Sequence, residues 1–219
     1  MRNPILLTAI LLGITLSVKA DPVPVSPELK SFLMRPEQQQ AVNGMLAQQW
    51  RALVGNCSSP HLQPTTVLID NSPAFDQAGA PASGQWRVRD YVEGCGETRI
   101  LNILFLFTPN GKMRRIALLP GTTIADARLQ QDALMYAEMG MQNLMPSLDC
   151  KDIQYTNTSF VAFGEANPQV PPGRDNRSWT EEWTVRACGV TGIVTMHFIP
   201  DETGTTISSG VGEARRVSP

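Results

Sequence analysis

The sequence predicts an α+β fold made of two tandem copies of one unit, each with a helix, an antiparallel β-sheet and one disulfide. Four residues recur 93 positions later (179 − 86 = 93): Trp86 as Trp179, Val92 as Val185, Cys95 as Cys188 and Gly96 as Gly189. Cys57 and Cys150 have the same spacing (150 − 57 = 93). A spacing shared by several residue types indicates an internal duplication.

Each copy begins with apolar residues at helical spacing. In the first copy, Pro36 suits a first helical position and Gly55 suits the end. In the second copy, Thr123 and Asp126 predict a capping-box-like start, and the pattern continues to Pro146. The methionines of this second helix suit either an adaptable surface for a partner helix or, as we favour, a helix sandwiched between the copies.

The strongest strand signals follow the second cysteine of each copy. They predict two hairpins, with strands at 99–107 and 112–119 in the first copy and at 192–198 and 205–211 in the second. Aligning the hairpins requires a two-residue deletion after Thr191. The segments 71–84 and 164–178 are rich in Pro, Gly, Ala and Asn, so we expect them to be long surface loops.

The duplication also favours one pairing of the four cysteines. Equivalent bonds in equivalent copies join Cys57 to Cys95 and Cys150 to Cys188, whereas bonds between the copies are the alternative. Each bond closes a separation of 38 residues (95 − 57 and 188 − 150). Such a loop contributes about 4 kcal/mol to stability in the chain-entropy account.

The amino terminus has the three parts of a secretory signal, and cleavage is expected after Ala20. An uncleaved signal anchor is the alternative, although the apolar run is shorter than the ~20 residues of a membrane span. We expect residues 21–35 to form an extended leader, 36–119 the first copy and 120–219 the second.

The net charge limits the classes of partner to be expected, and the cysteine content limits the compartment. Removing Arg2 and Lys19 with the signal changes the net charge from −2 to −4 (16 Lys and Arg against 20 Asp and Glu). That balance excludes nucleic acid and anionic membranes as expected partners. We expect a protein of the periplasm, or one secreted from the cell, because disulfides form in oxidising compartments. We expect no stable membrane insertion after cleavage, because no later apolar run approaches the length of a membrane span. We also expect a monomer, because a fused duplication often takes the place of a homodimer.

Trp86, Trp179 and Trp183 are the candidate binding residues. Tryptophan supplies a large contact area with a polar group, so exposed side chains here could bind a glycan or a peptide. The competing interpretation, which their fixed offset from a cysteine favours, is that they pack in the core of their own copy.

Catalytic and metal chemistry have few candidates. The chain contains two histidines, His61 and His197, and neither has an equivalent in the other copy. Cys57 and His61 could be half of a zinc site, but a disulfide removes the thiolate, so we expect no metal and no cofactor. Glu181 and Glu182 could serve a hydrolase, yet neighbouring side chains on a strand point to opposite faces, so at most one could act.

The segments 91–96 and 183–189 each place an aromatic residue, Tyr91 or Trp183, shortly before Val-x-x-Cys-Gly. In this Trp/Tyr-x-Val-x-x-Cys-Gly motif the chain resembles a group of uncharacterised bacterial secreted and periplasmic proteins. The resemblance covers the two short strands and their hairpins. It implies export and a disulfide-linked β unit, and it implies no activity.

We therefore expect a non-enzymatic envelope protein that binds another envelope protein or a small ligand. The chain has no Cys-x-x-Cys redox motif and no Gly-x-Ser-x-Gly nucleophile elbow. The alternative is a cell-envelope hydrolase that uses Glu181 or Glu182 together with His197.

Overall fold

The computed structural model describes residues 25–55, 57, 60–62, 66–108, 110–145, 150–171, 175–209 and 212–217. The predicted signal peptide and its cleavage site at Ala20 lie outside the described residues. So do Pro146, at the predicted end of the second helix, and parts of the predicted leader and of the predicted loop 164–178.

The protein has an α+β fold with three helices and two antiparallel sheets of five strands each in the described part of the chain. The first unit contains α1 (Pro27–Leu33), α2 (Pro36–Val54), β1 (His61–Leu62), β2 (Thr66–Phe75), β3 (Pro81–Gly94), β4 (Glu97–Phe107) and β5 (Met113–Ala117). The second unit contains α3 (Ala127–Gln142), β6 (Ile153–Ala166), β7 (Arg177–Ala187), β8 (Val190–Pro200), β9 (Thr205–Ser208) and β10 (Ala214–Arg216).

The two sheets have corresponding strand orders. In the first sheet β3 pairs with β1 and β2 on one side and with β4 on the other, and β5 follows β4. In the second sheet β7 lies between β6 and β8, and β9 and β10 pair with β8. β8 begins and ends 93 residues after β4 (190 − 97 and 200 − 107). The predicted two-residue deletion after Thr191 is therefore wrong, because β4 and β8 align without a gap. The hairpins differ instead by one residue in the turn that follows, where Phe107 pairs with Met113 and Pro200 pairs with Thr205.

Both central hairpins turn through a Cys-Gly pair with positive φ. The φ angles are 50° and 78° at Cys95 and Gly96, and 47° and 80° at Cys188 and Gly189. Positive φ at both central residues is typical of the two-residue hairpin turn whose twist matches the strands. The disulfides Cys57–Cys95 and Cys150–Cys188 bind these turns to the chain that follows each helix, so the predicted pairing is confirmed.

The helices agree with the sequence in part. α2 begins at Pro36 and has Gly55 as its C-cap, as predicted. The predicted extended leader is wrong over 27–33, where α1 forms because the Ser26 side chain accepts a hydrogen bond from the Leu29 N–H. This helix places Leu29 and Phe32 one turn apart in the core, a pattern too short to show a period.

The second helix begins later than predicted and is not sandwiched between the units. Asp126 is its N-cap, and the carboxylate accepts hydrogen bonds from the N–H groups of Arg128 and Leu129. The helix packs on β7, β8 and β9 of its own unit. Met135 and Met139 are 58% and 55% exposed, so the opposite face of this helix is open to solvent.

The segment 71–84, predicted as a long loop, is mostly paired strand, and the predicted loop 164–178 begins and ends in paired strand. Asn71 lies opposite Gln85 in the β2–β3 pair, and Phe163 lies opposite Trp179 in the β6–β7 pair. Register shifts interrupt both pairs. Such bulges break the alternation of apolar and polar residues by which strands are predicted, so these strands look like loops in the sequence.

Each sheet packs one face on its own helices. Trp86 stacks on Phe105 in the first core with ring centroids 5.2 Å apart, and Trp179 stacks on Phe198 in the second core at 4.8 Å. The stacked pairs occupy corresponding positions, since each joins the two central strands at the same register. No described helix is long and apolar enough to cross a membrane.

A linker, residues 118–126, connects the two units and hydrogen-bonds to both sheets. The Gly121 N–H donates to the Ile100 carbonyl of β4 (2.7 Å), and the Thr122 N–H donates to the Thr158 carbonyl of β6 (2.6 Å). In return the Thr158 N–H donates to the Pro120 carbonyl (2.8 Å). The linker therefore lies between the sheets as a shared segment of backbone.

Two side chains of the first unit, the buried Asn102 and the half-buried Arg89, bind further carbonyls of the linker. The Asn102 amide donates to the carbonyls of Leu119 and Gly121, both at 2.9 Å. Arg89 donates to Asn102 Oδ1 (3.0 Å) and to the Thr123 carbonyl (3.2 Å). Burial, followed by the nearby Arg87, lowers the pKa of the Arg89 guanidinium.

We expect Gly121→Ala to destabilise the protein by about 3 kcal/mol or more. Gly121 has φ +109°, and a Cβ atom built there lies 2.0 Å from the Thr158 carbonyl oxygen. The control is Gly111→Ala, where φ is +74° and nothing described lies within 4 Å, so only the backbone conformation costs about 1 kcal/mol. Urea unfolding of the oxidised protein measures both, and equal losses would contradict the role of the linker.

Candidate functional site

A cavity of about 840 Å³ lies between the helices and the sheet of the first unit. It is lined by Val25, by Lys30, Leu33 and Met34 at α1, by Gln39, Val42 and Asn43 of α2, and by Leu62, Val67, Val88 and Asp90 of the sheet. Cavities of this volume with a mainly apolar wall and a few polar groups are typical of sites for small molecules.

Asp90 is a buried charged residue in the cavity wall. It is 2% exposed and belongs to the row of β3 that faces the helices, between Val88 and Val92. Lys30, also in the described wall, is an exposed residue of α1. The cavity therefore has a carboxylate in its buried part and a flexible cation on its solvent side.

Each strand residue of the wall has a counterpart in the second unit, by which we mean the residue 93 positions later with the corresponding strand pairing. Asp90 lies opposite Leu101 and Trp183 lies opposite Val194, so Trp183 is the counterpart of Asp90. By the same pairing, Tyr155 is the counterpart of Leu62 and Phe160 is the counterpart of Val67. Three positions that line the cavity thus carry large aromatic side chains in the second unit.

This equivalence corrects the alignment of the Trp/Tyr-x-Val-x-x-Cys-Gly motif between the two units. Tyr91 and Trp183, the aromatic residues that begin its two copies, are not counterparts. Trp183 is fully buried, whereas Tyr91 is 40% exposed and neighbours Asp90 on the strand. The first unit therefore has a small acidic residue where the second unit has an indole ring.

The aromatic counterparts fill the second core. The rings of Tyr155 and Trp183 pack edge to face with centroids 6.2 Å apart. The Tyr155 hydroxyl lies 2.9 Å from Glu138 Oε1 and 3.2 Å from the Leu134 carbonyl oxygen. Burial, reinforced by the hydrogen bond to Glu138, raises the pKa of the Tyr155 hydroxyl well above its usual range. This space in the second unit is occupied by the chain's own rings.

Glu181, the counterpart of Val88, is fully buried and satisfied by three donors. Its Oε1 accepts from the Trp179 indole N–H (2.9 Å) and from the Ile124 backbone N–H (3.0 Å). Its Oε2 accepts from the Trp183 indole N–H (2.8 Å). The carboxylate therefore binds two core indoles and the linker.

A second polar cluster lies on the other face of this sheet. His197 Nδ1 is 3.1 Å from Thr180 Oγ1, and His197 Nε2 is 3.0 Å from Glu213 Oε1. Glu182 forms an ion pair with Arg215 on the same face. The order of hydroxyl, imidazole and carboxylate is that of a hydrolase triad.

The geometry around this cluster does not favour the hydrolase hypothesis. Glu181 pairs with Met196, so its side chain lies on the face opposite to His197. Thr180 pairs on both sides, with Ala162 and with His197, so the nearby backbone N–H groups belong to the sheet. An attacking hydroxyl needs such donors free to stabilise the oxyanion.

The other candidates from the sequence are structural in this protein. Trp86, Trp179 and Trp183 are 0%, 9% and 0% exposed, so they form no exposed aromatic platform and pack in the cores. Cys57 is in a disulfide, which removes it as a zinc ligand beside His61. Within the described residues, no group of three or more His, Cys, Asp or Glu is placed to hold a metal ion.

Asp90 was not among the residues predicted from the sequence to form a site. A signal was present, because Asp90 stands 93 residues before Trp183, where the repeat would predict an aromatic residue (183 − 90 = 93). Thr180 and Glu213 were also missed, because the contacts that bring them to His197 depend on strand pairing.

We expect Glu181→Ala to destabilise the protein by about 3 kcal/mol or more, because two buried indole N–H groups and the Ile124 N–H lose their acceptor. The neighbouring Glu182→Ala is the control, with an expected loss within about 1 kcal/mol, since a surface ion pair contributes little. Urea unfolding followed by tryptophan fluorescence measures both losses. A larger loss for Glu182→Ala would contradict this assignment.

Comparison with known proteins places the chain in no family. No protein-family model, no curated protein and no solved structure matches it.

Proposed function

We propose that the protein is a non-enzymatic binding protein that holds a small, mainly apolar ligand in the cavity of its first unit. One observation carries the proposal. Leu62, Val67 and Asp90 line this cavity, whereas their counterparts in the second unit are aromatic residues that pack in its core.

The physical argument rests on the area that a ligand would bury. An aromatic ring buries about 150–250 Å² in a protein core, and each square ångström is worth about 25 cal/mol, so a ring contributes roughly 4 kcal/mol or more. The second unit obtains this contribution from its own side chains. In the first unit the same space is available to a ligand.

We also propose that the two units arose by duplication and then diverged, among other respects, in how their cores are filled. The strand orders, the disulfides and the register of the central hairpins support this origin. One chain then supplies both units, so the protein acts as a monomer. The second unit keeps a filled core, and the first unit keeps a site.

For the compartment, two disulfides fit a protein that works outside the cytoplasm. We propose that residues 1–20 are a signal peptide, and that the chain functions in the periplasm from residue 21 onward.

A protein partner is the second candidate function, and the β6–β7 hairpin favours it. Val161 and Phe163 on β6 are 53% and 43% exposed, and the Arg177 guanidinium lies over the Phe163 ring, 3.9 Å from its centroid. Exposed aromatic and arginine side chains are enriched at protein interfaces.

Export of the full chain in a Gram-negative host tests the compartment. We expect the protein in the periplasmic fraction to begin at residue 21, which mass spectrometry of the intact protein determines. Ala20→Gln should slow cleavage, because the cleavage site requires a small residue, whereas the control Ala20→Ser keeps a small residue and should be cleaved normally. Protein that keeps residues 1–20 and stays in the membrane fraction would contradict the signal peptide.

For the cavity, we expect Val67→Phe to abolish binding of the neutral dye N-phenyl-1-naphthylamine, because it introduces the ring of the counterpart Phe160. The control is Ile116→Phe, at a residue that is 40% exposed on β5 and is not among the described residues of the cavity wall. Fluorescence titration should show binding by the native protein and by the control. A native protein that binds no dye, or equal binding by Val67→Phe, would count against the proposed function.

A further inference from the structure

We propose that the ligand of the first unit is a small aromatic amine in its cationic form, with its ring in the cavity and its ammonium group on the Asp90 carboxylate. This inference rests on the proposed function and specifies the ligand class. The cavity wall and its counterpart residues carry it.

In the second unit, the space that corresponds to the cavity is occupied by side chains of the protein itself. Trp183 places an indole ring there, and the indole N–H donates to the buried Glu181 carboxylate at 2.8 Å. The second core thus contains an aromatic ring with an N–H donor bound to a buried carboxylate. In the first unit the carboxylate is Asp90, on the strand itself, and the described residues of the cavity wall include no aromatic side chain.

The apolar part of the wall fits a planar ring. Val42 of α2 lies on one side of the cavity, and Val67 and Val88 of the sheet lie on the other. Branched aliphatic side chains form flat contacts with aromatic faces, as they do in protein cores. A ring between helix and sheet would bury both of its faces.

The negative charge of Asp90 in the cavity wall favours a ligand whose polar group is a cation. A carboxylate has about four acceptor positions, so Asp90 can accept from a ligand beside the contacts it already has. Hydrogen bonds between opposite charges are about twice as strong as neutral ones, and burial strengthens them further. An anionic ligand would instead place two negative charges together.

Lys30 also lines the cavity, and its positive charge repels a cationic ligand. This residue is exposed, and a lysine stem allows the ammonium group to extend into solvent, where its charge is screened. Asp90 is buried and fixed on β3, so its field acts on the ligand with less screening. The carboxylate therefore determines the preference.

The test compares three ligands with one indole ring and different charges: tryptamine, indole-3-ethanol and indole-3-acetate. Isothermal titration of the oxidised protein should give the tightest binding for tryptamine and the weakest for indole-3-acetate. The expected ratio of their dissociation constants is about tenfold or more, which is the range of one charge-assisted hydrogen bond. Equal affinities, or tighter binding of indole-3-acetate, would overturn the proposal.

Two variants assign the preference to a residue. Asp90→Asn should reduce the ratio to within about twofold of unity, whereas Lys30→Gln should preserve or increase it. A ratio unchanged in Asp90→Asn would overturn the proposal even if tryptamine binds best. Circular dichroism checks the fold of each variant, and the order of affinities in the native protein is an independent test if Asp90→Asn does not fold.

The dye experiment separates this proposal from the proposed function. If the native protein binds the neutral dye and Val67→Phe does not, but the three indole ligands bind equally, the ligand class is wrong and the cavity remains a binding site. If the native protein binds neither the dye nor any indole ligand, both proposals are wrong.

Discussion

The hydrogen bonding of the linker is the constraint on which the arrangement of the two units depends. Residues 118–126 run between the sheets, and a buried peptide group needs a partner wherever it lies. Ile100 and Thr158 provide backbone partners from opposite sheets, while Asn102 and Arg89 of the first unit bind further carbonyls. The sheets can approach this closely only because Gly121 has no side chain. A segment without regular secondary structure thus fixes the position of one unit on the other.

Features that depend on cysteine, proline and glycine could be predicted from the sequence, whereas features that depend on strand pairing could not. The spacing of four cysteines gave the disulfides, and the positions of Pro36 and Gly55 gave α2. The strand residues within 71–84 and 164–178 could not be predicted, because bulges interrupt their alternation of apolar and polar residues. The helix α1 could not be predicted, because it is too short to show a helical period. The cavity escaped prediction because α1, which forms part of its wall, was expected to be extended. The differences from the second unit at Leu62, Val67 and Asp90 have meaning only once the strand register is known.

Both units place an acidic residue in the strand row that faces their helices, but at different positions. In the second unit the acid is Glu181, which two indoles and the linker satisfy. In the first unit the acid is Asp90, whose counterpart is one of those indoles. The same scaffold therefore supports a buried carboxylate used for internal cohesion in one unit and a buried carboxylate beside open volume in the other. Two units of corresponding strand order thus differ in whether the buried acid is enclosed by the chain's own rings or lines a cavity.

The cysteine turns also bear on how the protein matures. Each disulfide joins cysteines that are consecutive in the chain, Cys57 with Cys95 and then Cys150 with Cys188. A chain that emerges amino terminus first presents the first pair before the third cysteine is available, so the first bond has no competing partner while domains fold in order of synthesis. Each turn cysteine is moreover positioned by a local hairpin, which forms within microseconds, long before thiols are oxidised. The order of the cysteines along the chain thus favours the native pairs over the pairs that an isomerase would have to reshuffle.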